Sequence, residues 1–417
     1  MNYKTIGQLL FLSFCSMSLF SCVEIEDDDE TNKDDKKATE VISISTADEL
    51  FRFAERVNSG ETKLDAELIA DIDISGREWI PIGFKPGNDY LGYFKGNKHT
   101  ITGVTIVEET IEKAYDFENS ILEYAYPVGL FSRVGSEGDI QGVELKDVSI
   151  VLPKCSQIGG IAGASSGRIL TCTVSGSIIG HGGIGGIVGH DYGTVSGCTN
   201  YTSIKGVHDI GGVTGLAVTY AISCKNYGKV EGNEIVGGVV GCSGAKTILF
   251  NLENYGDVSA TTNVGGIIGM AAGEFYNSVN YGKVTGSDFA IGGVIGIIDR
   301  GSLAVLGFSY GTPDKVYVEN CINYGVVQGP EEGTHAVIGD IYDEDMLERN
   351  KLIVSIRNCF YDFSANPLLS DVNALRMDSD TKDVLNEWVA QKPAKHETVA
   401  FKIWDVDETG KLTLKKK

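Results

Sequence analysis

The segment Val236-Gly237-Gly238-Val239-Val240-Gly241 is one copy of a short element that recurs along the chain. The other copies share its order of an apolar residue, two glycines, a second apolar residue and a later glycine; they begin at residues 158, 184, 210, 264 and 291. Successive copies are 26, 26, 26, 28 and 27 residues apart. A repeat of roughly 20 to 50 residues with strand-like alternation and no helical pattern indicates a β-solenoid. We therefore predict an all-β parallel β-helix with one unit per coil, in which eight or nine coils would stack to roughly 40 Å.

A bend with the sequence Asn-Tyr, followed by Gly in all copies but the first, recurs in the second half of the units, within residues 198–201, 224–228, 254–256, 280–282 and 321–325; we call it the Asn-Tyr-Gly bend. Side chains of a strand alternate between its two faces, so residues an even number apart share a face. In one copy, Cys224 and Val230 should point inward, whereas Lys225, Tyr227 and Lys229 should point outward. If the bend is a corner, this parity resets and the tyrosines could turn inward.

The composition excludes several classes of protein. Glycine supplies 53 of the 417 residues and proline only 8, which argues against collagen and proline-rich disorder. Hydrophobic residues make up 42% of the chain, enough to bury a core. The formal net charge of −22 disfavours nucleic acid as a partner, because binding to phosphate relies on Lys and Arg.

The N-terminus has the pattern of a secretory signal. Lys4 precedes an apolar run from Ile6 to Phe20 that is too short to span a bilayer. The run ends in Leu19-Phe20-Ser21-Cys22, which resembles a bacterial lipobox. We therefore expect residues 1–21 to be a lipoprotein signal peptide and Cys22 to be lipidated, anchoring the chain to a membrane. An ordinary signal peptide followed by a chance cysteine is the alternative.

Residues 22–40 are dominated by charge, with an acidic run from Glu24 to Glu30. Such a block repels itself and buries no apolar area, so we expect a disordered tether. Acidic residues directly after the lipidated cysteine resemble the export signal of some Gram-negative lipoproteins. This resemblance implies an outer-membrane location facing the cell exterior; the alternative is a solvated linker without that role.

The folded part begins near Val41. The capping box from Thr46 to Glu49 predicts an amphipathic helix ending near Gly60, and strand patterns follow it. We assign residues 41–127 to an N-terminal cap with the first coils, 128–329 to the repeat β-helix, and 330–417 to degenerate last coils with a small α+β C-terminal cap. Within that cap we predict a helix over 381–390 and a hairpin between residues 401–404 and 412–414, covering the open end.

The repeats resemble the GLUG-motif family of bacterial surface and adhesin-like proteins over roughly residues 45–330. The segments at 46–50, 70–75, 79–83 and 92–101 look like the opening of such proteins, although Lys95 and Lys98 stand where the family more often has Asp and Gly. The resemblance implies a right-handed β-helix and a role in adhesion or surface binding. It brings no catalytic residues with it.

We find no catalytic constellation in the repeats. Aligned on the Asn-Tyr-Gly bend, Lys225 stacks on Glu253, and Lys229, Asp257 and Lys283 form a second column. Alternating charges of this kind stabilise neighbouring strands by about 0.2 to 1 kcal/mol per pair, so we read them as structural. We expect no enzymatic activity. The alternative is a polysaccharide-active lyase or glycoside hydrolase whose acids come from insertions at 108–123 or 330–345.

We also predict no metal site and no cofactor. His181, His190 and His208 occupy different places in their units, which favours surface turns. The run from Asp405 to Gly410 begins like a calcium loop but has Lys416 at the twelfth place, which favours the hairpin.

The cysteines at 172, 198 and 224 should form an inward column, because they are 26 residues apart. Parallel Cβ vectors on stacked strands make a disulfide torsion awkward, which favours free thiols over bridges.

The tyrosines of the bend are the candidate ligand-binding residues. If the strand parity holds, they form one outward line of aromatic rings: Tyr201, Tyr227, Tyr255, Tyr281 and Tyr324. Such a line could bind an extracellular glycan or protein ligand, or it could merely stabilise the sheet as a cross-coil stack. We therefore expect a non-enzymatic, adhesin-like surface lipoprotein that binds its ligand along the flank of the β-helix.

Overall fold

The computed structural model describes residues 41–114, 126–298, 315–341, 353–369, 371 and 374–416. The predicted signal peptide, the lipidated Cys22 and the acidic tether lie outside these residues, as do parts of both insertions. The described chain is a parallel β-solenoid of about nine turns, which confirms the all-β, β-helix prediction. No helix in the described ranges is both long and apolar enough to cross a membrane.

One coil contains five short strands. In the coil that starts at Gly182, the strand Gly182–Gly185 is followed by Val188–Asp191 and then by Thr194–Ser196, Thr199–Asn200 and Ser203–Lys205. Each strand pairs in parallel with its counterpart in the next coil, so that Ile184 lies between Ile158 and Ile210. The sequence period therefore equals the structural period.

The coils build three parallel sheets. The first sheet contains the strands before the glycine pairs: Ser156–Gly159, Gly182–Gly185, His208–Gly211, Glu234–Gly237, Thr262–Gly265, Ile291–Gly292 and Thr334–His335. The second contains the strands after them: Phe131–Val134, Ala162–Ser165, Val188–Asp191, Thr214–Ala217, Val240–Ser243, Ile268–Ala271, Ile295–Ile298 and Ile338–Ile341.

The third sheet forms the remaining flank and holds the Asn-Tyr-Gly bends. Its strands are Val41–Ile44, Asp65–Leu68, Ile72–Asp73, Tyr93–Lys95, Thr100–Thr102, Thr105–Val107, Asp139–Gln141, Glu144–Val151, Arg168–Leu170, Thr173–Ile179, Thr194–Ser196, Thr199–Asn200, Ser203–Lys205, Tyr220–Ile222, Lys225–Asn226, Val230–Glu231, Ile248–Phe250, Glu253–Asn254, Val258–Ala260, Glu274–Tyr276, Val279–Asn280, Val284–Gly286, Lys315–Asn323, Val327–Gln328, Ile353–Tyr361 and Leu375–Arg376.

Close backbone approach explains the repeated glycines. A Cβ atom on Gly185 would collide with the carbonyl oxygen of Val188 across the corner. A Cβ atom on Gly228, in the Asn-Tyr-Gly bend, would collide with the carbonyl oxygen of Thr202 in the preceding coil. Because both obstacles are backbone atoms, a side chain could be accommodated only by moving the coil itself.

Apolar side chains fill the interior in register. Cys224 and Val230 are fully buried, as the strand parity predicted. Cys172, Cys198 and Cys224 form the expected inward column, and Cys321 stacks on Cys359 in later coils. None of the cysteines in the described ranges forms a disulfide, and all of them are buried.

An inward asparagine ladder supplements this core. The asparagines of the Asn-Tyr-Gly bends are fully buried, and each of the first four donates a side-chain hydrogen bond of 2.8–2.9 Å to the next; they are Asn200, Asn226, Asn254, Asn280 and Asn323. A buried amide needs such partners, because an unsatisfied polar group costs about 1–3 kcal/mol. The ladder therefore fixes both the register and the bend.

The N-terminal helix Ala47–Asn58 covers the first coils. Its capping box is formed as predicted, with the Glu49 backbone N–H donating to Thr46 and the Glu49 carboxylate accepting from the Thr46 backbone. Phe53 on its buried face packs edge-on against Tyr90. A second short helix, Glu108–Ala114, lies in the first insertion.

The C-terminal unit, residues 377–416, packs against the flank of the third sheet. It comprises the helix Thr381–Gln391 and the antiparallel hairpin of Ile403–Val406 with Leu412–Lys415. The sequence predicted both elements but placed them over the open end. Residues before the unit cover the last coil instead, where Asp371 accepts hydrogen bonds from the backbone of Val337 and Ile338.

The helix and hairpin lie on the flank because the outward residues of these coils are large and apolar. Leu385, Val389, Phe401 and Trp404 of the unit form one buried cluster with side chains of the solenoid, which are Ile222, Phe250, Tyr276, Val279, Ile322, Tyr324 and Phe360.

Candidate functional site

The tyrosines of the Asn-Tyr-Gly bends form one continuous outward stack, which we call the tyrosine ladder. Its members are Tyr201, Tyr227, Tyr255, Tyr281 and Tyr324. Successive ring centroids lie 4.9, 4.5, 4.7 and 5.5 Å apart, and the planes differ by no more than 13°. The bend therefore does not reset the strand parity, and all five predicted residues come together on one flank.

Exposure decreases along the ladder. Tyr201 is 51% exposed and Tyr227 is 40% exposed, whereas Tyr324 is only 8% exposed. The cause is the C-terminal hairpin: the Tyr281 hydroxyl donates to the carbonyl oxygen of Leu412 at 2.7 Å, and the Leu412 N–H donates to the Tyr324 hydroxyl at 2.8 Å. The ladder thus has an uncovered part at Tyr201 and Tyr227 and a covered part at Tyr281 and Tyr324.

Mutual stacking limits what the ladder can offer to a ligand. Each inner ring has both faces against its neighbours, so only its edge and its hydroxyl group point to solvent. Tyr201 ends the stack, because the preceding coil has Ser175 at the same register. The uncovered part therefore presents one free aromatic face and a row of phenol groups, rather than several faces for sugar rings.

Burial holds most phenol groups of the ladder in their neutral form. Burial and the Glu253 carboxylate raise the pKa of Tyr255 well above its usual value, and burial also raises the pKa of Tyr227. Burial raises the pKa of Tyr324 to about 12. Since these shifts all favour the protonated form, the hydroxyl groups can both donate and accept near neutral pH.

A buried carboxylate links the ladder to the C-terminal unit. Glu253 is fully buried; it lies 3.2 Å from Lys225 Nζ and 3.0 Å from Lys402 Nζ, and it accepts a hydrogen bond from the Tyr255 hydroxyl at 2.8 Å. The predicted Lys225–Glu253 pair is therefore present. Sequence reasoning missed Lys402, because it lies about 150 residues further along the chain.

The second predicted charge column is organised differently. Lys229 forms its ion pair with Glu231 of its own strand segment. Asp257 accepts from the backbone N–H of Lys283 at 3.2 Å. These exposed charges are solvated, and exposed pairs contribute little to stability.

A second, outer asparagine ladder attaches the C-terminal unit. Asn251, Asn277 and Asn320 have left-handed backbone angles at the turn before the Asn-Tyr-Gly strand, and their amides are linked at 2.7–2.8 Å. Asn251 donates to the carbonyl of Ala400 and accepts from the N–H of Lys402, while Asn277 accepts from the indole N–H of Trp404. The feature of the sequence that marked this surface was the recurrence of asparagine at one position of successive coils, at residues 251, 277 and 320.

Two further ion pairs attach the same unit. Lys392 pairs with the buried Glu319, which also accepts from the Trp388 indole at 2.9 Å. Lys395 pairs with Glu274 at 2.6 Å. Acids on three successive coils thus each have a lysine partner from the C-terminal unit, which accounts for their position beside the apolar cluster of the flank.

The three histidines of the repeats, at positions 181, 190 and 208, lie at the first and second sheets. His190 and His208 belong to strands, Val188–Asp191 and His208–Gly211, rather than to the surface turns that the sequence favoured. The rings of His181 and His208 meet edge to face at 5.2 Å, and His208 Nδ1 lies 2.9 Å from the carboxylate of Asp209, which raises the pKa of His208. Desolvation lowers the pKa of His190 to about 4. The described ranges contain no group of three or more side chains arranged to hold a metal ion.

The buried acid Asp191 could not be recognised from the sequence. Its side chain points into the core beside Ser165 of the preceding coil and is fully buried. One carboxylate oxygen accepts from the N–H of Gly193, but the other has no hydrogen-bond partner in the described structure. Desolvation raises the pKa of Asp191 to about 8, so the neutral acid is favoured at pH 7.

Comparison with known proteins adds little to this geometry. No protein-family model matches the chain, and no curated protein matches it. Among solved structures, it is similar to one from Bacteroides ovatus described as a "putative immunoglobulin A1 protease". The two share 16% identity over 89% of this chain and 91% of the other, with a TM-score of 0.47.

Proposed function

We propose that the chain is a non-enzymatic, adhesin-like surface lipoprotein that binds a glycan or protein ligand along the flank of its solenoid. One observation carries the proposal: the uncovered part of the tyrosine ladder places half-exposed aromatic residues on the flank, where nothing else in the described chain covers them. Exposed aromatic residues on a rigid scaffold are typical of binding surfaces.

The anchoring part of the proposal rests on the sequence. Cys22 in its lipobox-like context would carry the lipid, and the acidic residues after it would direct the protein to the outer face of the outer membrane. The GLUG-like repeats support an adhesive role. The solenoid would then be displayed about 20 residues beyond the anchor, a reach of up to roughly 65 Å for an extended tether.

Binding can be tested with a chain that starts at residue 40 and keeps every described element. Glycan and peptide arrays would be probed with the unaltered chain and with Tyr227→Ala. We expect weaker binding by the variant, because the substitution interrupts the uncovered stack. Tyr192→Ala is the matched control, since Tyr192 is an exposed tyrosine of the second-sheet side. Equal binding by both variants would reject the ladder as the binding site.

A polysaccharide-active enzyme is the competing function. The buried carboxylates of the flank do not favour it, because Glu253 and Glu319 are held in ion pairs with lysines of the C-terminal unit. The insertions that could supply other acids lie partly outside the described residues. Release of products from any polysaccharide by the purified chain would overturn the non-enzymatic proposal.

A further inference from the structure

The covered part of the tyrosine ladder already binds a polypeptide backbone. A single residue, Leu412, bridges two adjacent rungs: its carbonyl oxygen accepts from Tyr281 and its N–H donates to Tyr324. Leu412 belongs to the extended strand Leu412–Lys415, and its side chain is buried against the flank. Two phenol groups at the spacing of the coils thus match the N–H and C=O groups on one side of an extended residue.

The outer asparagine ladder does the same on the neighbouring column. Asn251 binds the carbonyl of Ala400 and the N–H of Lys402, which lie in an extended segment leading into the hairpin. Backbone recognition on this flank is therefore repeated at two columns. It depends on the regular rungs of the solenoid rather than on one special residue.

The uncovered rungs have the same construction. Tyr201 and Tyr227 stack at 4.9 Å with planes 9° apart, compared with 5.5 Å and 3° for Tyr281 and Tyr324. The backbone N–H of each uncovered tyrosine donates to the preceding coil at 2.8 Å, as it does in the covered tyrosines. The two parts are continuous through Tyr255, and the main difference between them is that the C-terminal hairpin lies over one part and not over the other.

We propose that Tyr201 and Tyr227 bind an extended polypeptide segment of a partner protein, by the contacts that Tyr281 and Tyr324 make with Leu412. One phenol donates to a backbone carbonyl of the partner and the other accepts from its N–H, while an aliphatic side chain at that residue packs on the ring edges. This inference rests on the proposed function that the flank binds a ligand, and it names the ligand class.

The test separates hydroxyl groups from rings. The full-length chain and its Tyr201→Phe/Tyr227→Phe variant would be applied to arrays of random-sequence peptides and of glycans. Phenylalanine preserves the stack and removes only the hydroxyl groups. Because two hydrogen bonds to the peptide are lost, we expect peptide binding to weaken about tenfold or more. Tyr192→Phe, which removes a hydroxyl outside the ladder, should bind as the unaltered chain does.

Three results would overturn the proposal. Equal peptide affinity of the double Phe variant would show that the hydroxyl groups are not used. Binding to glycans alone, lost in Tyr201→Ala, would reject the peptide but keep the proposed flank function. Binding to neither array would reject both. Circular dichroism and thermal unfolding of each variant would establish that the fold is unchanged.

Discussion

The two parts of the tyrosine ladder share the Asn-Tyr pair and the parallel stacking of their rings, yet they differ in environment. Tyr281 and Tyr324 hold the hairpin residue Leu412, whereas Tyr201 and Tyr227 remain on the surface. The difference arises from other columns: later coils carry large apolar residues beside the ladder, and the C-terminal unit covers those. The same stack of tyrosines can therefore pack against another part of the chain at one end of the ladder and expose its side chains to solvent at the other.

The largest expected effect comes from removing Trp404, a buried side chain of the contact between the C-terminal unit and the flank. Trp404 is 1% exposed and its indole donates to Asn277 at 2.7 Å. We expect Trp404→Ala to cost about 3–5 kcal/mol in packing and to release the C-terminal unit. Hydrogen exchange should then accelerate over residues 377–416 and spare the coils around Tyr201. The fully exposed Leu368 gives the control Leu368→Ala, and equal exchange in the two variants would contradict the described docking.

The next prediction concerns the pH dependence of stability that Asp191 causes in its coil. Asp191 has a folded-state pKa of about 8, raised above its unfolded value, so the folded state holds a proton that the unfolded state loses. Its contribution is present below about pH 4 and is lost as the pH rises towards 8. Thermal unfolding of Asp191→Asn should lack this component of the pH dependence. If the variant and the unaltered chain lose stability in parallel over this window, the buried-acid assignment is wrong.

A smaller effect tests the outer asparagine ladder. Asn277→Gly keeps the left-handed backbone and removes the amide that binds Trp404 and Lys402, so we expect a loss of about 1–3 kcal/mol. Thr171 occupies the same backbone register in an uncovered coil, also with positive φ. Thr171→Gly should be neutral or slightly stabilising, since it relieves a strained angle. Urea unfolding compares the two, and equal losses would argue that the amide contacts are unimportant.

The smallest effect concerns the free end of the ladder. Tyr201 stacks on one neighbour only and is half exposed. Tyr201→Ala should therefore reduce stability by about 0.5–1.5 kcal/mol, while Tyr324→Ala should cost several times more because it also opens a buried site. The midpoints of thermal unfolding measure both. Similar shifts for the two variants would mean that the ladder is not divided as described.

The local pattern of the sequence was sufficient for the solenoid and for the direction of its tyrosines. Glycine pairs at a constant interval set the coil, and strand parity correctly placed Cys224 inward and Tyr227 outward. Asn226 lies inward as well, but the role of an amide in an apolar interior becomes evident only when the neighbouring coil supplies its partner.

Contacts between distant segments could not be predicted in this way. The docking of Trp404 on Asn277 joins residues 127 positions apart, and no periodicity relates them. Large outward residues such as Phe250 and Tyr276, where an earlier coil has Ser196, were the available signal that this flank is covered. The burial of Asp191 could not be predicted either, because it depends on how deeply one position of one coil lies in the core.

Tyrosine nitration, read by mass spectrometry, tests the central contrast most directly. Without a ligand, Tyr201 and Tyr227 should be modified readily, while Tyr281 and Tyr324 stay protected beneath the hairpin. When the tightest peptide from the array is added, Tyr201 and Tyr227 should become protected as well. Nitration of all four tyrosines at similar rates, or a bound peptide that leaves Tyr201 and Tyr227 fully reactive, would contradict the account.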